Sequence, residues 1–210
     1  YMERLKRFCE ERELLLICDE IACGFGRSGT MFGFERFGLK PDIVTLSKGL
    51  NNGALPVGAV CMNGRVVSSF RENRQILFHL STQNLNPVSL AAALATVEQY
   101  DADMLAMVNE SSRFWQKCLS PLRQLPYVSD IRICGLMIAI DLSDGDGGVL
   151  PLDRLLCLLE TMSRNGVLAG DSFIDGVMSC VMLFPPYIST RPQIRECVSA
   201  IRRSLMAVLE

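Results

Sequence analysis

The chain has 210 residues, 49% of them hydrophobic and 21% charged, with a formal net charge of −2. That length and composition fit one or two globular domains, and no Lys/Arg cluster argues for a nucleic acid or a membrane surface. Nine cysteines, with no CxxC pair and a single histidine, argue against a disulfide scaffold and against a zinc site. Cys18, Cys61, Cys134 and Cys180 sit inside apolar runs and read as buried small hydrophobes. They point to a reducing, cytoplasmic setting. Neither a signal peptide nor a membrane span is visible.

Residues 1–13 place Met2, Leu5, Phe8 and Cys9 at helical spacing with charges between them. The chain thus opens inside an α/β pattern, and a piece of a longer protein is the expectation. Residues 14–18 form a continuous apolar run of strand length, the kind that a parallel strand covered on both faces shows. A glycine-rich loop (Gly24, Gly26, Gly29) follows. Residues 43–46 and 58–62 predict two further short strands. Residues 86–100 are alanine-rich and helical, with Pro87 tolerated in the first turn. Residues 103–122 predict a second helix with Trp115 on its packed face. Beyond it, residues 128–132 and 135–141 read as strands joined by a tight step, and residues 143–148 (SDGDGG) as a turn. Residues 151–165 predict a helix ended by Gly166. Residues 181–184 predict a strand stopped by Pro185 and Pro186. Ile194, Val198, Ile201, Leu205 and Val208 mark a final helix. A boundary between two α/β units is expected near residue 100.

Two places carry chemistry. Asp19 and Glu20 follow the first apolar run, and the carboxyl ends of strands are where open α/β sheets bind ligands. Read alone, the pair is equally a solvated turn. Lys48 lies two residues past the second strand, in TLSKGLNNG. Small neighbours there let a bound carbonyl compound come close, and an amine must be neutral to attack it. Read alone, Lys48 is also an ordinary surface lysine.

The combination is more specific. The stretch LLICDEIACGFGRSGTMFGFERFGLKPDIVTLSKGLNNGALPVGAV resembles the class III aminotransferases of pyridoxal-phosphate (PLP) fold type I. An apolar strand, Asp-Glu-aliphatic, Gly-Phe-Gly-Arg-Ser-Gly, Lys-Pro-Asp, a second strand and Lys-Gly follow one another in the family's order. The resemblance runs on to the end of the chain.

It implies an α/β fold: residues 1–100 as the C-terminal part of the large, mostly parallel-sheet, PLP-binding domain, and residues 101–210 as the small C-terminal domain. It implies pyridoxal 5'-phosphate as cofactor, with Lys48 as its Schiff-base lysine and later the acid/base of the proton shift. Asp19 would pair with the protonated pyridine nitrogen, and Ile21 would pack on the ring. FHLSTQNLNPVSLAAALA resembles the segment in which a threonine, here Thr82, binds the cofactor phosphate, reaching into the neighbouring subunit of a homodimer with shared active sites. His79 matches the family's histidine and is given a structural role. The substrates would be a small-molecule amine and an oxo acid.

The sequence also departs from the pattern. Leu80 and Ile133 stand where glycines are usual. The segment GVLAGDSFIDG has no arginine where many members use one to hold a substrate carboxylate, and Arg191 matches no such position. The family's other phosphate turn and its ring-stacking aromatic belong to a preceding portion that this chain does not contain. FGRSGTMF and PPYI resemble the diaminopelargonate-forming type, whereas LNNGALPVGAV resembles the omega-amino acid:pyruvate and 4-aminobutyrate types. A glutamate semialdehyde aminomutase-type enzyme and a truncated or degenerate non-catalytic module remain as alternatives.

Overall fold

A computed structural model describes residues 1–79 and 81–209. The chain forms two compact units, Tyr1–Leu105 and a second that begins at Ala106.

The first unit opens on helix α1 (Met2–Glu11), followed by β1 (Ile17–Asp19), the short α2 (Gly33–Arg36), β2 (Ile43–Leu46), β3 (Ala59–Met62), α3 (Gly64–Glu72) and α4 (Pro87–Val97). Its sheet runs β1-β2-β3. β1 and β2 are parallel, with Asp19 opposite Thr45. β2 and β3 are antiparallel.

Asp42 ties the starts of β1 and β2 to the end of β3. Its carboxylate accepts the Leu16 N–H at 2.8 Å and the Asn63 side-chain N–H at 2.8 Å. Its carbonyl accepts the Asn63 backbone N–H, also at 2.8 Å. Those bonds, the one from Leu16 first, hold the Asp42 carboxyl below the usual aspartate range. Asn63 also caps α3 by accepting the Val66 N–H.

The strand expected at residues 14–18 begins later. Leu14 and Leu15 are exposed, and β1 is only Ile17–Asp19. The Leu16 N–H goes to the Asp42 side chain rather than to a neighbouring strand. β1 is also an edge strand of the sheet among the described residues. Cys61, on the opposite edge strand β3, is exposed. Of the cysteines read as buried, Cys180 alone is fully so. Burial pushes its thiol pKa up. No disulfide joins cysteines among the described residues.

Helix α4 starts where the sequence places it. The Asn86 side chain accepts the N–H groups of Val88 and Ser89, and Pro87 occupies the first turn. The helix is apolar on nearly every side, yet only Ser89 and Ala93 are buried. Helix α5 (Ala102–Leu119) starts in the first unit, with the Asp101 carboxylate accepting the Met104 N–H.

The second unit is an antiparallel sheet, β4 (Val128–Cys134), β5 (Met137–Leu142), β6 (Gly170–Ile174) and β7 (Met178–Leu183), in the order β4-β5-β7-β6. Helices α6 (Leu152–Arg164) and α7 (Arg191–Leu209) accompany it. Alternate residues of β5, Ile138, Ile140 and Leu142, are buried, as one-sided cover of a strand requires. They join Leu155, Leu158 and Met162 of α6, Ile201 of α7 and Trp115 in the core. The turn between β4 and β5 uses Gly135 at a φ of 60°, and Gly166 at 83° ends α6. No helix among the described residues is long and apolar enough to cross a membrane.

Candidate active site

Parallel pairing of β1 with β2 brings the two chemistry-bearing places to one sheet edge. Asp19 is the last residue of β1 and stands opposite Thr45, three residues before Lys48. Asp19 is exposed, and its carboxylate accepts the Ile21 N–H at 3.0 Å, which fixes the side chain over its own turn. Its second oxygen makes no hydrogen bond within the described residues.

Glu20 does the opposite. It is 3% exposed, and its two carboxylate oxygens accept the N–H groups of Gly33 and Phe34, each at 2.8 Å. Those are orphan donors at the start of α2, which a carboxylate satisfies well. The Glu20 N–H donates to the Thr45 carbonyl, and its own carbonyl accepts the Gly24 N–H, both at 3.0 Å. Two adjacent carboxylates are thus divided: Glu20 builds the loop, and Asp19 stays open.

Lys48 is exposed and sits in the left-handed region at a φ of 38°. For a residue with a Cβ that conformation costs about 1–2 kcal/mol, and such strain gathers at functional sites. Its surroundings enforce it. The Ser47 hydroxyl donates to the Val57 carbonyl at 2.8 Å. The Lys48 carbonyl accepts the N–H groups of Asn51 and Gly53. Phe25, 2% exposed and itself left-handed at a φ of 59°, packs against Gly49. A Cβ on Gly49 would lie 2.9 Å from the Phe25 Cβ, so only glycine fits beside the lysine. The Tyr100 hydroxyl donates to the Gly49 carbonyl at 2.7 Å; Glu20, Phe25 and Tyr100 thus contact the two turns, and the sequence did not single them out for that. Phe25 lies inside the Gly-Phe-Gly signature, and Glu20 stands beside Asp19. For Tyr100 no sequence signal existed.

The remaining candidates lie as follows. Ile21 is half-buried. Thr82 and His79 are exposed, and no hydrogen bond joins Thr82 to Asp19 or Lys48. The Leu80 departure lies outside the described residues. Ile133 sits in β4 opposite Ile138 of β5, an ordinary strand position. Arg191 donates to Glu110 at 2.7 Å and lies over the Phe114 ring, so its charge is already partnered. In the second unit, a groove of about 690 Å³ is lined by Leu168, Phe184 and Ile188 among others, with no lysine or arginine on its walls. No group of residues suited to a metal ion occurs among the described residues.

An amine and an open carboxylate on neighbouring strand ends suit a ligand with an aldehyde at one point and a basic ring nitrogen at another. The amine can condense with the aldehyde, and the carboxylate can hold a proton on the nitrogen. These groups fit those two features of pyridoxal phosphate.

The class-III aminotransferase pattern matches residues 1–205. The chain is 35% identical to an omega-aminotransferase of Caulobacter vibrioides over 209 residues, covering 98% of this chain and 46% of that protein. It is 30% identical to an adenosylmethionine-8-amino-7-oxononanoate aminotransferase of Geobacter sulfurreducens, covering 99% of this chain and 47% of that protein. The crystal structure of a transaminase from the marine bacterium Virgibacillus superposes with a TM-score of 0.92 at 25% identity, covering all of this chain and 48% of the other. The chain spans about half the length of the relatives it matches. By the reach of that pattern and by its fold, the chain belongs to the class III aminotransferase family, with the α/β architecture of PLP fold type I.

Proposed function

We propose that the protein is a pyridoxal 5'-phosphate-dependent aminotransferase, moving an amino group from a primary amine or amino acid to an oxo acceptor, with Lys48 as the cofactor-binding lysine. The observation that carries the reading is the parallel register of Asp19 with Thr45, which sends the Asp19 carboxylate and the Lys48 turn out of the same sheet edge.

The bound cofactor supplies an electron sink that acidifies the substrate's amine-bearing carbon. The chain's own residues do the rest. Asp19 holds the proton on the ring nitrogen and so keeps the ring cationic. Ile21 lies two residues on and offers an aliphatic face to the ring. Lys48 Nζ would hold the aldehyde end of the cofactor, and its amine, when free, would carry a proton at the substrate's amine-bearing carbon. Thr82 donates its hydroxyl to the phosphate.

A homodimer with shared sites fits the surface of the first unit. Residues 75–97 contain no Asp, Glu, Lys or Arg. Ile76, Phe78, Leu85, Val88 and Leu94 in that stretch are each more than half exposed. An uncharged apolar surface of this kind suits an interface. Thr82 lies within it, which fits a hydroxyl presented to a neighbouring copy. A cytoplasmic setting fits a chain of nine cysteines in which no disulfide is formed.

The test is spectroscopic. Mixed with pyridoxal phosphate, the protein should show a visible absorbance band that Lys48→Ala lacks, and a screen of amine donors should bleach it. A band that survives in Lys48→Ala removes Lys48 from the proposed role.

A further inference from the structure

Tyr100 lies between α4 and α5, 52 residues beyond Lys48 in the sequence, yet it holds the lysine turn. Its phenol O–H donates to the Gly49 carbonyl at 2.7 Å. Its ring lies 5.4 Å from the Phe25 ring at 34°, and Phe25 meets Phe32 edge-on at 5.6 Å. Gly49 is therefore gripped on two sides: the Phe25 ring leaves no room for a Cβ, and the Tyr100 hydroxyl fixes the carbonyl. Lys48, one residue earlier, is left-handed, a strained backbone that persists only where the turn around it is held.

We propose that Tyr100 is a positioning residue for Lys48. By fixing the Gly49 carbonyl it holds the Gly49–Leu50 peptide, whose N–H closes the turn onto the Ser47 carbonyl around Lys48, and with that turn the direction in which the lysine side chain leaves the sheet edge. This rests on the reading of Lys48 as the cofactor-binding lysine. Tyr100 itself touches neither substrate nor cofactor in this account. Its hydroxyl acts through the bond to the Gly49 carbonyl, and its ring through Phe25.

Tyr100→Phe separates the two contributions, since it keeps the ring and deletes the bond. Two readouts decide. In the protein without cofactor, amide hydrogen exchange at Asn51 and Gly53, whose N–H groups bond the Lys48 carbonyl, should quicken about fivefold, the size of one ordinary net hydrogen bond. With pyridoxal phosphate present, the pH midpoint of the Lys48-dependent absorbance band should move by about half a unit. The amino-transfer kcat should fall while the KM for the amine stays near that of the unaltered protein. Unchanged exchange, or an unmoved midpoint beside a Lys48→Ala control that lacks the band, overturns the proposal. Should Tyr100→Phe not fold, 3-fluorotyrosine incorporated into the unaltered sequence tests the same bond, and an unmoved midpoint again overturns it. A band retained in Lys48→Ala sinks the Lys48 reading instead; the exchange readout then still judges whether Tyr100 holds the turn.

Discussion

Asp19 stands opposite Thr45 in parallel register, so the end of β1 and the turn after β2 leave the sheet side by side. Asp19 therefore needs its charge more than its shape. Asp19→Asn keeps the size and the acceptor for the Ile21 N–H but drops the carboxylate. Amino transfer should fall roughly a hundredfold or more, as for loss of one preorganised electrostatic contact. The lysine-dependent absorbance band should remain. Steady-state kinetics with one amine donor checks this; activity equal to that of the unaltered protein contradicts the role.

Glu20 has a structural consequence instead. Removing its side chain strands the Gly33 and Phe34 N–H groups at the start of α2. Each is a bond to a charged acceptor, worth about 1.5–3 kcal/mol. Glu20→Ala should therefore destabilise the protein by roughly 2–4 kcal/mol, the bonds not being additive. Urea unfolding measures it, and a loss below about 0.5 kcal/mol would count against the loop-building role.

Asp42 makes stability depend on pH. Its folded-state pKa is depressed, chiefly by the Leu16 N–H and then by Asn63. A depressed carboxylate stabilises the fold at any pH above its unfolded value, about 3.9, and that contribution is lost as pH falls through the lower folded value. Asp42→Asn should thus flatten the decline in stability below about pH 4. Unfolding midpoints taken between neutral and acid pH read the difference; parallel declines would contradict it.

Leu94 is more than half exposed in the middle of the uncharged stretch. If that surface is an interface, Leu94→Lys buries an unpaired charge and should shift the protein from dimer to monomer. Light scattering gives the mass. A dimer unaffected by this change places the interface elsewhere.

The boundaries of β2 and α6 were legible, the apolar stripe of α7 marked that helix, and α4 was legible from its start although most of its apolar residues stay exposed. The Asn86-Pro87 start and the Gly166 stop are local signals, and both are used as such. The second unit's β6 went unread because its residues, Gly170–Ile174, lie on an edge and carry no apolar run. Residues 14–16 misled in the other direction: their apolar side chains are there, but strand pairing starts only at Ile17 because Asp42 takes the Leu16 N–H. In the candidate site, Asp19 and Lys48 were singled out from a motif, and the register of β1 with β2 brings their strand ends side by side. The burial of Glu20 and the reach of Tyr100 to Gly49 depend on contacts between distant segments, which spacing along the chain does not encode.

Borohydride reduction in the presence of pyridoxal phosphate decides whether Lys48 is the lysine that takes the cofactor. Reduction fixes any link between a lysine and the cofactor, and peptide mass mapping then locates it. The cofactor mass should appear on Lys48, with little on Lys6, Lys40 or Lys117. An even spread over those lysines, or equal labelling of Lys48→Ala, would contradict it.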